Sequence, residues 1–471
     1  MSAQKRPLVT IYLVNHNYVD YVAKAIDSVF VQTYRNIELL IIDDGSIDGS
    51  QREIERVLES WSDSPISVSK VFQENHGLTA TNNIALSLAS GIFIMRLDAD
   101  DWLLEDAVEK LVAKLEGDSS NGLVFGDYFE VDPSGEVLGK IERHAIDELE
   151  ILDMPAHGAC TLFRTDCLRR LGGYDKEFDR QDGYEIWLRF IKLFGVTNIP
   201  EPIFYYRQHD TSLTKNEAKL LEVRSRILSK HGSASSDKEG ADGYIFIPVS
   251  TNYGVGVKSL DPLGGKSLVS WTLDEACKSK RASNVILSCS DDRVIDYVAA
   301  NYGSEVLLVR RPPAMAEMSS SISEALEHAL GALNKTLKLE DIIAILAIEN
   351  PFKRARHIDN LFDVMQIFDA ERVVGVRRED RQVYRHGSKG LKNIVEEDRV
   401  RHERDEIYRK SGGLQAIRYS VLLNRDTKKT IKSAHYVVDE ISDVEVRTNL
   451  GWQVAELLIS SQDAGVCSFV D

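Results

Sequence analysis

The stretch GIFIMRLDADDW, residues 91–102, sets three carboxylates, Asp98, Asp100 and Asp101, within four positions directly behind the apolar run at 91–95. A short apolar run bounded by turn residues reads as a buried strand. In open α/β sheets ligands sit beyond the carboxyl ends of the strands, so this charge falls where chemistry is expected. The same grammar recurs upstream. Residues 8–14 read as a first strand, 21–33 as the helix after it, and 37–42 as a second strand that runs into Asp43-Asp44-Gly45-Ser46. Short apolar runs alternating with helical periodicity predict βαβ units and a mostly parallel sheet.

The bounds on the rest follow from size and charge. At 471 residues the chain exceeds what a single core fills. Residues 230–243, KHGSASSDKEGADG, are small, polar and flexible, and a new strand begins at Tyr244. The reading is therefore a first domain at 1–230, a linker at 231–242 and a second domain at 243–471, both α/β. An apolar fraction of 43% and a charged fraction of 28% are those of a soluble globular chain. A net charge of −17 opposes broad contact with nucleic acid or an anionic membrane surface. No apolar run approaches the roughly 20 residues of a spanning helix, and residues 1–6 carry no apolar leader into the first strand. Five scattered cysteines without a CxxC pair suit a reducing compartment and give no zinc pattern. A cytoplasmic location is expected, with peripheral attachment at the inner membrane face left open.

An Asp-X-Asp at a strand end suits a hard dication that keeps some waters and bridges to substrate phosphates. Acidic residues after strands also cap the helix that follows, and Asp101, before Trp102, fits that role as well. The two readings separate only in company. Residues 9–50 (VTIYLVNHNYVDYVAKAIDSVFVQTYRNIELLIIDDGSIDGS), 74–102 (ENHGLTATNNIALSLASGIFIMRLDADDW) and 172–190 (GGYDKEFDRQDGYEIWLRF) together resemble the inverting family 2 glycosyltransferases of GT-A fold. Five motifs appear in the family's order over residues 7–215.

The resemblance implies a nucleotide-sugar donor whose base and ribose meet Asp43 and Asp44, in a pocket also lined by Asn15, Asn17, Tyr18, His76, Gly77 and Asp98. It implies Mg²⁺ or Mn²⁺ on Asp98 and Asp100, with His209 completing the shell. A general base is placed just before an aromatic and a Trp, here Gln181-Asp182-Gly183-Tyr184-Glu185-Ile186-Trp187. Gly183 stands where many relatives carry the basic Asp, so Asp182 is assigned the role and Glu185 is the reserve. His157–Cys160 falls near the sugar, with no chemistry for Cys160, and Gly172-Gly173 reads as a tight turn.

The second half resembles the cytidylyltransferases that make CMP-activated nonulosonic acids. Both domains then belong to the nucleotide-diphospho-sugar-transferase type, Rossmann-like sheets flanked by helices. The departures lie at the sites. The triphosphate loop, residues 250–258, lacks its Arg, IENPFKRARHID replaces a Gln-Pro-Thr-Ser-Pro-Leu-Arg run, and Glu445 and Arg447 in VEVRTNLGW stand where two metal-binding aspartates are expected. An Arg in a cation site repels the ion. The domain is therefore read as catalytically degenerate, a recognition or dimerisation module that leaves room for a homodimer. The mixed-charge stretch 377–410 reads as a solvated helix with loops.

Three functions stay open: a metal-dependent transferase acting on a glycan of surface polysaccharide or lipopolysaccharide, lipid-linked or soluble; a bifunctional chain that also activates a nonulosonic acid with CTP; and a sugar-nucleotide-binding scaffold without activity.

Overall fold

The computed structural model describes residues 6–209, 216–235, 241–249, 258–312, 315, 322–333, 336–379, 381–388, 390–394, 407–424 and 430–463. Contacts divide the chain into two compact units, one drawn from Met1–Asn216 with Arg381–Asp405, the other from Glu217–Asp380 with Glu406–Asp471.

The first unit is a mixed sheet flanked by helices. Its strands are β1 (Val9–Asn15), β2 (Ile37–Asp44), β3 (Ser67–Gln73), β4 (Phe93–Asp98), β5 (Trp102–Leu103), β6 (Asn121–Val131), β7 (Val137–Ile141), β8 (Leu162–Arg164) and β9 (Gly195–Arg207). They lie in the order β3-β2-β1-β4-β8-β6-β9-β5, with β7 paired to β6. The half from β3 to β4 is parallel, whereas β8 runs antiparallel to both β4 and β6. Six of the seven residues of β1 are buried, because helices cover both faces of a parallel sheet and both sets of side chains must be apolar. The helices are α1 (Val22–Phe30), α2 (Ser50–Ser60), α3 (Leu78–Leu88), α4 (Ala107–Gly117), α5 (Thr165–Arg170) and α6 (Asp182–Phe190). Ile26, Val29 and Phe30 of α1 pack with Ile11, Leu39, Ile41 and Met95 in one core.

Register decides what this sheet presents at its edge. Asn15 pairs with Asp43 across β1–β2, and Val14 with Asp98 across β1–β4. Three motifs far apart in sequence thus end at one level. Asp101 caps no helix: Trp102 and Leu103 form β5, paired antiparallel with Tyr205 and Phe204 of β9, and α4 begins only at Ala107.

The second unit holds β10 (Gly243–Pro248), the short pair β11 (Pro262–Leu263) and β12 (Lys266–Ser267), β13 (Asn284–Cys289), β14 (Val306–Arg310), β15 (Ile342–Leu346), β16 (Arg372–Arg378), β19 (Tyr408–Arg418) and β20 (Ser433–Val437), whereas β17 (Tyr384–Gly387) and β18 (Gly390–Asn393), a hairpin, belong to the first unit. The main sheet is ordered β14-β13-β10-β15-β19-β16-β20. The hairpin corrects the expected helix at 377–410, of which residues 395–406 lie outside the described residues. Helices α7 (Glu217–Ser235), α8 (Leu268–Cys277), α9 (Asp292–Tyr302), α10 (Ile322–Leu330), α11 (Ala355–Ile367), α12 (Tyr419–Leu423), α13 (Glu440–Asp443) and α14 (Asn449–Asp463) complete it.

Helix α7 also corrects the expected boundary. The sequence places residues 217–230 in the first domain and 231–235 in a linker, yet all belong to one helix of the second unit. Val223, Ile227 and Leu228 bury themselves there, and Asn360 of α11 donates to Ser225 Oγ at 2.5 Å. At Gly232 a Cβ would stand 2.1 Å from Asp363 Oδ1, so glycine permits the close crossing of α7 and α11. Flexible composition signalled a linker where glycine was serving helix packing.

Candidate active site

The residues expected to meet the nucleotide gather at the carboxyl ends of β1, β2 and β3. Asn15 Nδ2 donates to Asp43 Oδ2 at 2.7 Å and to Ser46 Oγ at 3.0 Å, while Gln51 Nε2 and the Ser46 amide donate to Asp43 Oδ1. Asp44 Oδ1 accepts from the His76 amide at 2.9 Å and from Gln73 Nε2 at 2.8 Å, and Oδ2 accepts from the Gly77 amide at 2.8 Å. The acidic pair thus holds the loops that surround it. Gly45 has φ +78°, and a Cβ there would meet the Asn75 amide at 2.7 Å, which is why this turn takes glycine. Asn17, at φ +59°, accepts from the Ile47 amide.

Tyr18 stands on the other side of this edge, its ring 5.5 Å from that of His209, which in turn stacks on Tyr21 at 5.7 Å. His209 Nε2 lies 2.9 Å from Asp100 Oδ2. The chain reaches this position because Asp101 Oδ1 accepts the Arg207 amide at 2.9 Å and the Asp100 carbonyl accepts Arg207 Nε at 3.0 Å. The segment after β9 is thereby fastened over the acidic cluster; residues 210–215 beyond it lie outside the described residues.

Charge in the cluster is crowded. Burial first, then its acidic neighbours, pushes Asp98 up to about 6 against the opposing pull of Arg96. Burial and the carboxylates of Asp100 and Asp98 push Asp101 well above the usual range, and its Oδ2 is buried with no hydrogen bond. Unpaired buried carboxylate charge is costly, and a hard dication with oxygen and imidazole donors fits this set. Among the described residues no three such side chains converge as a finished ion cage. Asp100 and His209 face each other, whereas Asp98 turns toward Arg96, whose Nε lies 2.9 Å from Asp98 Oδ1.

Asp182 joins this group from α6. Gln181, at φ +59°, turns the chain so that Asp182 opens the helix. Its Oδ2 accepts from Asn82 Nδ2 at 2.9 Å and from Arg96 Nη1 at 2.5 Å. Gly183 packs on Gly158, where a Cβ would come within 3.0 Å of the Gly158 Cα, so a side chain at 183 has no room without movement. Glu185 is corrected: its carboxylate is buried and held by Arg189 at 2.7 and 2.6 Å, and Arg189 also donates to the carbonyls of Leu171 and Gly173. Glu185 therefore braces α6 on the Gly172-Gly173 turn, whose φ values are +83° and +76°. His157 is enclosed by Tyr128, Phe204 and Tyr206 and is pushed down to about 4 by burial and the nearby Arg96 charge.

Two residues of this site escaped the sequence reading. Arg96 is a charge inside an otherwise apolar strand and is only 6% exposed; such a charge requires a partner, which is the signal that marks it. Asn82, buried in α3, shows no equivalent mark.

In the second unit the positions that depart from the cytidylyltransferase pattern are paired with one another. Arg447 Nη2 lies 2.8 Å from Glu349 Oε1 and its Nε 2.8 Å from Glu445 Oε1. Lys353 is fully buried, its Nζ donating to the Ala347 carbonyl at 2.6 Å, to Thr272 Oγ1 at 3.1 Å and to the Asn350 carbonyl. Residues 250–257 of the expected triphosphate loop lie outside the described residues. Burial lowers Lys353 from 10.5 to about 7, against the attraction of Glu349. Below pH 7 the ammonium is present in both folded and unfolded chains. Between 7 and 10.5 only the unfolded chain holds the extra proton, so stability rises with pH by about 1.4 kcal/mol per unit. Urea melts of wild type and Lys353→Met between pH 6 and 9 test this: the stability difference, wild type minus variant, should climb above pH 7, and a flat difference contradicts it.

The loops at the carboxyl edge of the parallel half-sheet thus lie beside an acidic cluster and a fixed carboxylate. Residues 10–172 match the family model Glycosyl transferase family 2, and residues 254–410 match the model Cytidylyltransferase. The likeness to family 2 glycosyltransferases thus lies in the first part of the chain, and the likeness to cytidylyltransferases follows it. Over 47% of its length the chain is 26% identical to an uncharacterised glycosyltransferase of Rickettsia typhi, covering 71% of that protein. It is 33% identical to a chondroitin synthase of Escherichia coli over 53% of its length, but spans only 35% of that relative. A mannosyltransferase from Pyrobaculum calidifontis, solved in complex with GDP-Man and Mn²⁺, aligns at 20% identity and a TM-score of 0.41 over 50% of this chain and 66% of its own. No helix among the described residues is long and apolar enough to cross a membrane.

Proposed function

We propose that the chain is a dication-dependent inverting glycosyltransferase, moving a sugar from a nucleotide-diphosphate donor to a hydroxyl of a glycan acceptor in surface polysaccharide or lipopolysaccharide synthesis. The observation that carries this reading is the convergence of Asp98, Asp100, His209 and Asp182 on one sheet edge, with Arg96 bridging Asp98 to Asp182. Asn15, Asn17, Asp43, Asp44, His76 and Gly77 seat the nucleotide. Asp100 and His209, with Asp98, hold Mg²⁺ or Mn²⁺, which when bound neutralises charge on the departing diphosphate. Tyr18 lines the same pocket, and the segment around His209 closes over the donor phosphates. Asp182 takes the proton from the acceptor hydroxyl as that oxygen attacks the anomeric carbon. Both side-chain bonds to Asp182 fall on Oδ2, which leaves Oδ1 for this proton. The likeness to a chondroitin synthase supports a glycan acceptor.

The second domain does not activate a nonulosonic acid in this account, because Arg447 already neutralises the carboxylates that a dication would need. It serves recognition or self-association. The test is to incubate the full chain with UDP-, GDP- and dTDP-sugars and glycan acceptors, following product anomeric configuration by NMR, and separately with CTP and nonulosonic acids, following pyrophosphate. Inverted product without pyrophosphate is expected; pyrophosphate release supports the bifunctional chain instead, and neither product supports the scaffold.

A further inference from the structure

Among the described residues Arg96 is the cation placed between the two acidic groups of the proposed transferase site. It is anchored on both sides: Nε lies 2.9 Å from Asp98 Oδ1, Nη2 lies 3.3 Å from Asp98 Oδ2, and Nη1 lies 2.5 Å from Asp182 Oδ2. Its backbone is fixed as well, the Arg96 carbonyl accepting the Cys160 amide at 2.7 Å. The slot that receives the guanidinium depends on glycine, since a Cβ on Gly158 would come within 2.8 Å of Nη2. A planar fork with several donors spans two carboxylates in a way a point charge does not.

We propose that Arg96 is the positioning residue of this site: it holds Asp182 in place for proton abstraction and competes with the divalent cation for Asp98. This rests on the transferase reading above. The competition follows from electrostatics. A guanidinium paired with Asp98 lowers the negative potential that attracts a dication to Asp98, Asp100 and His209, so the site accepts the ion readily only when a donor diphosphate adds its own charge. Removing the positive charge should therefore strengthen binding of the ion alone while impairing the chemical step. A residue that merely supported the fold would weaken both.

The measurement is calorimetric titration of Mn²⁺ into wild type, Arg96→Gln and Arg96→Lys, with and without UDP or GDP, together with steady-state transfer or donor hydrolysis. For Arg96→Gln, binding of Mn²⁺ alone should tighten about tenfold, equal to 1.4 kcal/mol, and kcat should fall with little change in donor KM. Arg96→Lys retains the charge but reaches one carboxylate at a time; its Mn²⁺ affinity should stay near wild type while kcat remains reduced. Should Arg96→Gln fail to fold, the lysine variant decides by that kcat loss at unchanged ion affinity. Unchanged or weaker Mn²⁺ binding in folded Arg96→Gln, or full kcat in Arg96→Lys, overturns the proposal and leaves the transferase reading standing. A wild type that binds no Mn²⁺ even with nucleotide overturns both.

Discussion

Replacing Asp182 by Asn leaves donor binding unchanged and lowers the rate of sugar transfer by about 10²–10⁴-fold, the contribution of a positioned general base. The substitution keeps the shape of the side chain and its place at the start of α6, so the loops around Asp43 and Asp44, built by their own hydrogen bonds, are left intact. The proton acceptor is lost, together with the charge that pairs with Arg96 Nη1, while the nucleotide loops keep their own bonds. Rapid-quench kinetics with saturating donor separate this from a binding defect: kcat should fall and donor Kd should hold. Glu185→Gln gives the contrast. That carboxylate braces α6 through Arg189, so its loss should lower the melting temperature without a selective effect on the chemical step. Equal loss of rate in both variants at intact fold would remove Asp182 from the role assigned to it.

Asp44→Ala should abolish nucleotide binding while leaving most of the fold. Its two oxygens receive the amides of His76 and Gly77 and the side chain of Gln73. Bonds to a charged acceptor contribute about 1.5–3 kcal/mol each, and their joint loss releases the turn into α3 and strands buried donors. An increase in nucleotide Kd of at least about 100-fold, or 2.7 kcal/mol, is expected. Fluorescence or calorimetric titration of the nucleoside diphosphate measures it. A variant that binds within a few-fold of wild type would mean that this loop lies outside the donor pocket.

Much of this site was legible in the sequence because parallel pairing needs only local signals. Runs buried on both faces mark β1, β2 and β4, and acidic residues directly behind them must fall on one edge once the strands pair in register. His209 was found through the motif around it, and its approach to Asp100 depends on Arg207 contacts that no local pattern encodes. Arg96 is marked in the sequence only as a charge within an apolar strand, since its partner Asp182 lies 86 positions away. The role of Asp101 stays open in the sequence because acidic-then-apolar text is ambiguous between helix cap and edge strand; pairing of Trp102 with β9 decides it. Helix α7 was cut short because Gly232, taken as linker composition, is required where two helices cross. In each miss the deciding contact is distant in sequence.

The central claim is that the Asp98–Asp100–His209 group receives a dication together with a donor diphosphate. Calorimetric titration of UDP, GDP, dTDP and CDP into wild type and Asp100→Ala, each with and without Mn²⁺, tests it most directly. One diphosphate that binds wild type tightly only with Mn²⁺, and loses that dependence in Asp100→Ala, is the predicted result. Binding that ignores both the ion and the substitution would contradict the account.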